Sequence, residues 1–257
     1  MQKKEICWNI TTKCNQNCKY CHRFLGINDL TFEENEKILE NLIADGVTDI
    51  TWTGGEALLY PNLISLVKKA SESGIRNKLI TNGLILAKNP EKREILNYIN
   101  NLTLSLDSID NEINEILGRG YNHYNNIKTI LAYIKNKNIE LNINTVVNSI
   151  NVNCLNKLGE FLNNYKVDKW KLFKFMPLRE TAEKNKGFFE ISEDIFNSTK
   201  RNFRNFENIK ELDYRQEDDM EKKYVLIVAN GDIIMTENGK DVKKGNALYN
   251  NLMEFMD

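Results

Sequence analysis

The chain is short of several things, and each shortage excludes something. Among 257 residues there are only 3 prolines, which rules out long proline-rich linkers, and 2 histidines, His22 and His123. Lys and Arg total 35 against 36 Asp and Glu, a formal net charge of −1. A general polyelectrolyte attraction to nucleic acid or to an anionic membrane therefore has no basis, although a local basic pocket does not need one. No stretch approaches the roughly 20 consecutive apolar residues of a membrane span. The opening MQKKEICWNITTK contains no apolar core of a signal peptide, so the expected compartment is the cytosol. The 5 cysteines are odd in number, and Cys14, Cys18 and Cys21 crowd into eight positions, which in a reducing compartment favours a metal site over disulfides. What is present is ample core material: 41% apolar and 28% charged residues exclude a disordered chain.

The hydrophobic pattern alternates between strand and helix periods. Strands are expected at Glu5–Thr11, Asp49–Trp52, Lys78–Thr81, Leu102–Leu106, Leu141–Val147 and Lys169–Phe175. Helices are expected between and after them, over Thr31–Ala44, from Pro61, near Lys92–Tyr98, over Asn125–Lys137 and over Val152–Tyr165. Thr31 is a candidate cap, with Glu33 and Glu34 in the first turn. Six such units in alternation predict an α/β fold, a partial (β/α)6 barrel of parallel strands, over residues 1–180. After residue 180 the pattern changes to a helix over Ile191–Phe206, a mixed-charge run Glu211–Lys223, and a hairpin turning at Asn230-Gly231. This tail, 181–257, is expected to be a small α+β cap on one end of the sheet rather than an independent domain.

Cys14-x3-Cys18-x2-Cys21 directly follows the first strand. A structural zinc site wants four ligands, and no second hook accompanies these three. Three thiolates suit an iron–sulfur cluster with one iron left open to an outside ligand. This pattern, with Tyr20 as the aromatic before the last cysteine, resembles the signature of the radical S-adenosylmethionine superfamily. The resemblance runs from about Glu5 to Phe175 and implies one 4Fe-4S cluster and S-adenosylmethionine as cofactors. It further implies a small electron donor such as flavodoxin or ferredoxin. An electron from the cluster then cleaves the sulfonium, and the resulting 5′-deoxyadenosyl radical takes hydrogen from the substrate. Because no cysteine follows Cys154, a second cluster domain is not expected.

The same resemblance assigns further contacts, each at the carboxyl end of a predicted strand. Gly54, Gly55 and Glu56 match the segment that meets the methionine amino group; Thr81 and Asn82, Ser105 and Asp107, and Arg119 between two glycines are the other candidate cofactor contacts. Within the superfamily the chain most resembles the viperin-like group of nucleoside-triphosphate 3′,4′-dehydratases. Asp107-Ser108 with Leu117–Gly120, Asn144 and Asn148 with Asn151, Trp170–Phe173 and the hairpin at Tyr224 carry that likeness. It implies a nucleotide pocket formed by Asn144, Asn148 and Lys171, with Lys174 and Arg179 just beyond as added charge; His22 and Arg23, in a loop that departs from that group's, are further substrate candidates. Asn142 stands where that group has a lysine. Odd spacing between Lys171 and Lys174 sends them to opposite faces if both lie on the strand. Two alternatives stay open: a radical enzyme acting on a peptide or another small molecule, with Cys154 as hydrogen donor in an epimerisation, and a non-catalytic metal-binding interaction protein.

Overall fold

A computed structural model describes residues 4–203, 205–220, 225–237, 240–250 and 255. Tyr224 and the end of the mixed-charge run lie outside the described residues. Six strands follow the predicted order: β1 (Glu5–Asn9), β2 (Asp49–Thr53), β3 (Arg76–Thr81), β4 (Asn101–Ser105), β5 (Glu140–Val147) and β6 (Lys169–Lys174). All pair in parallel with their sequence neighbours. Parallel pairing demands long crossovers, and helices supply them. Among these are α1 (Phe32–Ala44), α2 (Leu63–Glu72), α3 (Leu84–Lys88), α4 (Asn111–Ile116), α5 (His123–Ile134) and α6 (Leu155–Leu162).

Local chemistry sets most boundaries. Thr31 opens α1 through a full capping box with Glu34, which satisfies two otherwise unpaired backbone donors. The helix expected near Lys92 is a 3-10 helix over Pro90–Asn97, opened by Pro90 at a first-turn position where a missing N–H costs nothing. Likewise Val152–Cys154 is one 3-10 turn, and α6 proper begins at Leu155.

The strands alternate in burial. Ile6, Trp8, Ile50, Trp52, Ile143, Trp170 and Leu172 are fully buried in one core with the helices. Trp8 stacks on Trp52 at 5.1 Å between ring centroids. The other face is polar: Cys7, Asn9, Thr51, Lys78, Thr103, Ser105, Asn142, Asn144 and Lys171 follow one another across the registers. The charge of Lys171 on β6 reaches Cys7 on β1, five strands away in the sheet, so the polar face is concave. Its amino-terminal end is closed by ion pairs from Lys78 to Glu5 at 2.7 Å and to Asp49 at 3.0 Å.

The strands of the tail extend the sheet at both edges. β7 (Leu212–Arg215) pairs in parallel with β6, and β8 (Val225–Ile227) pairs in parallel with β1. β9 (Asp232–Glu237) and β10 (Lys240–Asn246) continue antiparallel from β8, with the expected turn at Asn230-Gly231. The six parallel strands alone would leave open backbone donors and acceptors at both edges, and these additions pair them. Three further helices, α7 (Arg179–Lys184), α8 (Lys186–Phe189) and α9 (Glu193–Asn202), link β6 to β7. Among the described residues no helix is long and apolar enough to cross a membrane.

Candidate active site at the carboxyl ends of the strands

The cysteine loop leaves β1 and is held on every side by backbone contacts. Gly55 N–H donates to Thr11 O at 2.7 Å, and Glu56 N–H to Lys13 O at 2.8 Å. A Cβ on Gly54 would lie 2.5 Å from Thr11 O, and one on Gly55 only 2.3 Å from Lys13 O. The close approach these glycines permit is thus to the strand leading into the cysteines. On the far side, Asn17 N–H and Lys19 N–H donate to Gly118 O and Leu117 O. Gly118, at φ 81°, passes so near Asn17 that a Cβ would sit 2.2 Å from its carbonyl oxygen. Asp29 closes the entry, accepting from Thr11 Oγ1 at 2.6 Å and from Thr12 N–H at 3.0 Å.

Cys14, Cys18 and Cys21 are all free thiols, half-buried, and close enough that Cys14 and Cys21 both raise the Cys18 thiol and Cys21 raises that of Cys14. Burial raises the Cys14 thiol and pushes Cys18 up to about 11, so a thiolate there calls for cationic metal. Among the described residues no three His, Cys, Asp or Glu side chains converge as a single bound ion requires. A cluster, which takes one thiolate per iron, asks less of them. The three-sulfur donor set on a loop fixed at both flanks fits such a group.

Around the loop the predicted cofactor residues form a hydrogen-bonded ring. Glu56 is buried and accepts from Thr81 Oγ1 and Asn82 N–H, both at 2.8 Å, and from Leu58 N–H at 3.3 Å. Burial raises its carboxyl, and those three donors act in the opposite direction. Asn82 Nδ2 donates to Asn15 Oδ1 at 2.8 Å, inside the cysteine loop. Arg119 does not wait for an outside carboxylate: its Nε donates to buried Asp107 at 2.6 Å, and its Nη1 to Gln16 Oε1 at 3.3 Å. Tyr20 OH also donates to Asp107, whose other oxygen accepts from Val146 N–H at 2.7 Å. Gln16 Nε2 reaches His123 Nδ1 at 3.0 Å, and His123 Nε2 donates to Ser105 O at 2.8 Å. Burial lowers His123 to about 4, which keeps the ring neutral and matches this pattern of one acceptor and one donor nitrogen.

The predicted substrate residues divide. Asn144 and Lys171 are register partners on the concave face. Asn144 Oδ1 is buried without a hydrogen bond, as is Asn9 Oδ1 at the end of β1. Lys171 makes no hydrogen bond among the described residues, and burial lowers its ammonium. Asn148, in contrast, is spent on a turn: it takes Ile150 N–H, gives to Val146 O, and its own N–H goes to Asn151. Lys174 lines a separate cavity of about 490 Å³ with Lys186, Glu190, Glu193 and Glu217. Arg179 is paired with Asp241 and His22 O, so its charge is not free for a phosphate. His22 is held by Met176 O, and burial lowers its imidazole to about 4. Arg23 stands beside Cys14, whose thiol it pulls down slightly. Cys154 caps α6, beyond the end of β5, and among the described residues nothing links it to the cysteine loop. Sequence reasoning missed Gln16, Asn9, His123 and Asp241. Strand parity from Cys7 was the available signal for Asn9, and the position of Gln16 between two cysteines was the signal for it.

A model of the Radical SAM superfamily matches residues 8–162 of this chain. An S-adenosylmethionine-dependent nucleotide dehydratase of Flammeovirga pacifica is 32% identical over 243 residues, covering 88% of this chain and 80% of that protein. One of the same name from Lacinutrix mariniflava is 29% identical over 196 residues, covering 71% of this chain but 40% of its own length. Among solved structures, SuiB of Streptococcus suis bound to S-adenosylmethionine superposes with a TM-score of 0.70 at 20% identity, over 99% of this chain and 66% of that one. That last likeness is one of fold.

Proposed function

The chain belongs to the radical SAM superfamily, and on that premise we propose that it removes water from a nucleotide whose phosphates are held on the concave face of the sheet. It is an enzyme of 4Fe-4S cluster and S-adenosylmethionine chemistry. When bound, this pair supplies reductive cleavage of the sulfonium and removal of hydrogen from an unactivated carbon. Cys14, Cys18 and Cys21 are the cluster ligands in this reading. Thr81, Asn82 and Glu56 shape the wall beside them, and the Asp107–Arg119–Gln16 unit fixes the loop from the other side.

The observation that carries the substrate reading is Lys171. A half-buried ammonium with no hydrogen bond among the described residues is what a phosphate oxygen would complete, and the unpartnered Asn144 Oδ1 beside it, an acceptor, suits a hydroxyl donor of the same ligand. Arg215 on the adjoining β7 brings a second cation to this wall, although its guanidinium already pairs with Asp213 at 2.7 Å. The dehydratase names of the sequence relatives support the same substrate class. The unpaired thiols suit a reducing compartment, the cytosol, with a flavodoxin- or ferredoxin-type protein as electron source.

The test is substrate-stimulated release of 5′-deoxyadenosine by anaerobically reconstituted protein given reductant and S-adenosylmethionine. Ribonucleoside triphosphates are compared with peptides. Stimulation by one nucleotide, with loss of a water mass from it, is the expected result. Stimulation by peptides alone would replace this reading with a peptide-modifying one.

A further inference from the structure

Arg179 is unusual in its backbone and in its contacts. Among the described residues it alone combines a side chain with positive φ, 63°, a conformation that L residues avoid without compensation. The compensation is visible. Its Nε and Nη2 grip both oxygens of Asp241, at 2.9 and 3.1 Å, in the two-pronged geometry a guanidinium prefers. Its Nη1 donates to His22 O at 2.5 Å, and its plane lies 3.9 Å from the centre of the Phe24 ring.

These partners come from distant places. Arg179 follows β6, whereas Asp241 lies on β10, at the opposite end of the sheet order. His22 and Phe24 belong to the segment immediately after Cys21. The same stretch after β6 touches the cysteine loop twice more: Met176 O meets His22 Nε2 at 2.6 Å, and Asn185 Nδ2 donates to Lys19 O at 2.9 Å. The Phe189 ring packs edge-on against Tyr20 at 5.7 Å. A strap therefore crosses the mouth of the open barrel, with Arg179 as its fastening.

We propose that Arg179, through Asp241, is a positioning residue that joins the two sides of the open sheet at the cluster end and seats the chain after Cys21. It touches no reacting atom. Its work is to keep the third thiol in register with the other two, and this holds whichever substrate the enzyme takes.

The test uses reconstituted holoenzyme kept without oxygen and challenged with an iron chelator and iodoacetamide together. Alkylation is mapped at each cysteine, and global melting is followed separately. Arg179→Ala should lose iron about tenfold faster than the unaltered protein, with Cys21 alkylated ahead of Cys14 and Cys18. Asp241→Ala should act in the same direction, and Arg179→Ala/Asp241→Ala should be no worse than Arg179→Ala, because the two act as one unit. Arg179→Lys should restore only part of the protection, since an ammonium keeps the charge but not the fork. Iron loss at the unaltered rate overturns the proposal. So does release of all three thiols in step with global melting, which marks a merely structural residue. Should Arg179→Ala fail to fold, Asp241→Ala and Arg179→Lys decide the matter: unaltered rates in both overturn it.

Discussion

Two walls of the same barrel treat their polar groups in opposite ways. On the wall formed by the ends of β2 to β4, Glu56 and Asp107 are buried, Arg119 is nearly so, and each is committed to a partner from the protein itself. On the wall formed by β1, β5 and β6, Asn9 and Asn144 keep buried amide oxygens without partners among the described residues, and Lys171 makes no hydrogen bond among them. The first wall is complete before any ligand arrives and holds the cysteine loop in shape. The second keeps hydrogen-bonding capacity that the protein itself does not satisfy, and a buried polar group left unsatisfied costs on the order of 1–3 kcal/mol. On the proposed function, rigidity lies where the cofactor would be placed, and unsatisfied capacity where the substrate would be received.

Removing a thiol makes the largest break in the completed region. Cys18→Ala should bring iron binding and 5′-deoxyadenosine release to background, measured by iron content and product chromatography, because two thiolates no longer define the site. Next comes Arg119→Ala. It leaves Asp107 buried with no cation, which typically costs about 3–5 kcal/mol, read as a lower denaturant midpoint. Arg119→Leu combined with Asp107→Asn should recover much of that loss, because the uncompensated charge is then gone; no recovery would mean that the pair is not the source of the cost.

Lys171→Met probes the receiving wall and should behave in the reverse sense. Burial disfavours the charged form of Lys171, so the unfolded chain binds the proton more tightly than the folded one. Methionine removes that penalty, and stability should hold within about 1 kcal/mol or rise. The nucleotide concentration giving half-maximal 5′-deoxyadenosine release should increase roughly tenfold or more, the worth of one charge-assisted phosphate contact. Equal nucleotide response in the two proteins would remove Lys171 from the substrate site.

What could be read from the sequence follows the reach of each interaction. The six parallel strands and the Thr31 cap are local patterns, and the structure reproduces them within a few residues. Cys14, Cys18 and Cys21 were legible because their spacing is itself the signal. Partners far apart in the chain were not. Arg119 was visible as a candidate cofactor contact, but nothing in its neighbourhood said that Asp107 would be its partner. Arg179 read as spare charge, since its counter-ion lies 62 residues onward on another strand. The placement of β7 and β8 on opposite edges of the sheet was hidden for the same reason: the pairing partner of an edge strand is chosen by the open edge and not by the strand's own period.

The smallest effect concerns how the completed wall is kept neutral at His123. Its ring accepts from Gln16 and donates to Ser105 O, which only the neutral form can do, and burial holds it near 4 against an ordinary 6.5. Below pH 6.5 the unfolded chain gains a proton that the folded chain refuses, so this residue withdraws stability as the pH falls from 6.5 towards 4. His123→Asn loses about 1 kcal/mol of hydrogen bonding at neutral pH. Its asparagine does not titrate, so the gap between the variant and the unaltered protein should narrow, or reverse, by about pH 5. Denaturant midpoints of both proteins at the two pH values measure this. Carboxylates titrate alike in both and cancel in the difference. A gap that stays constant between neutral and acidic pH would show that His123 takes up its proton as readily in the fold as in the unfolded chain, and its hydrogen bond with Gln16 would then not be what holds the ring neutral.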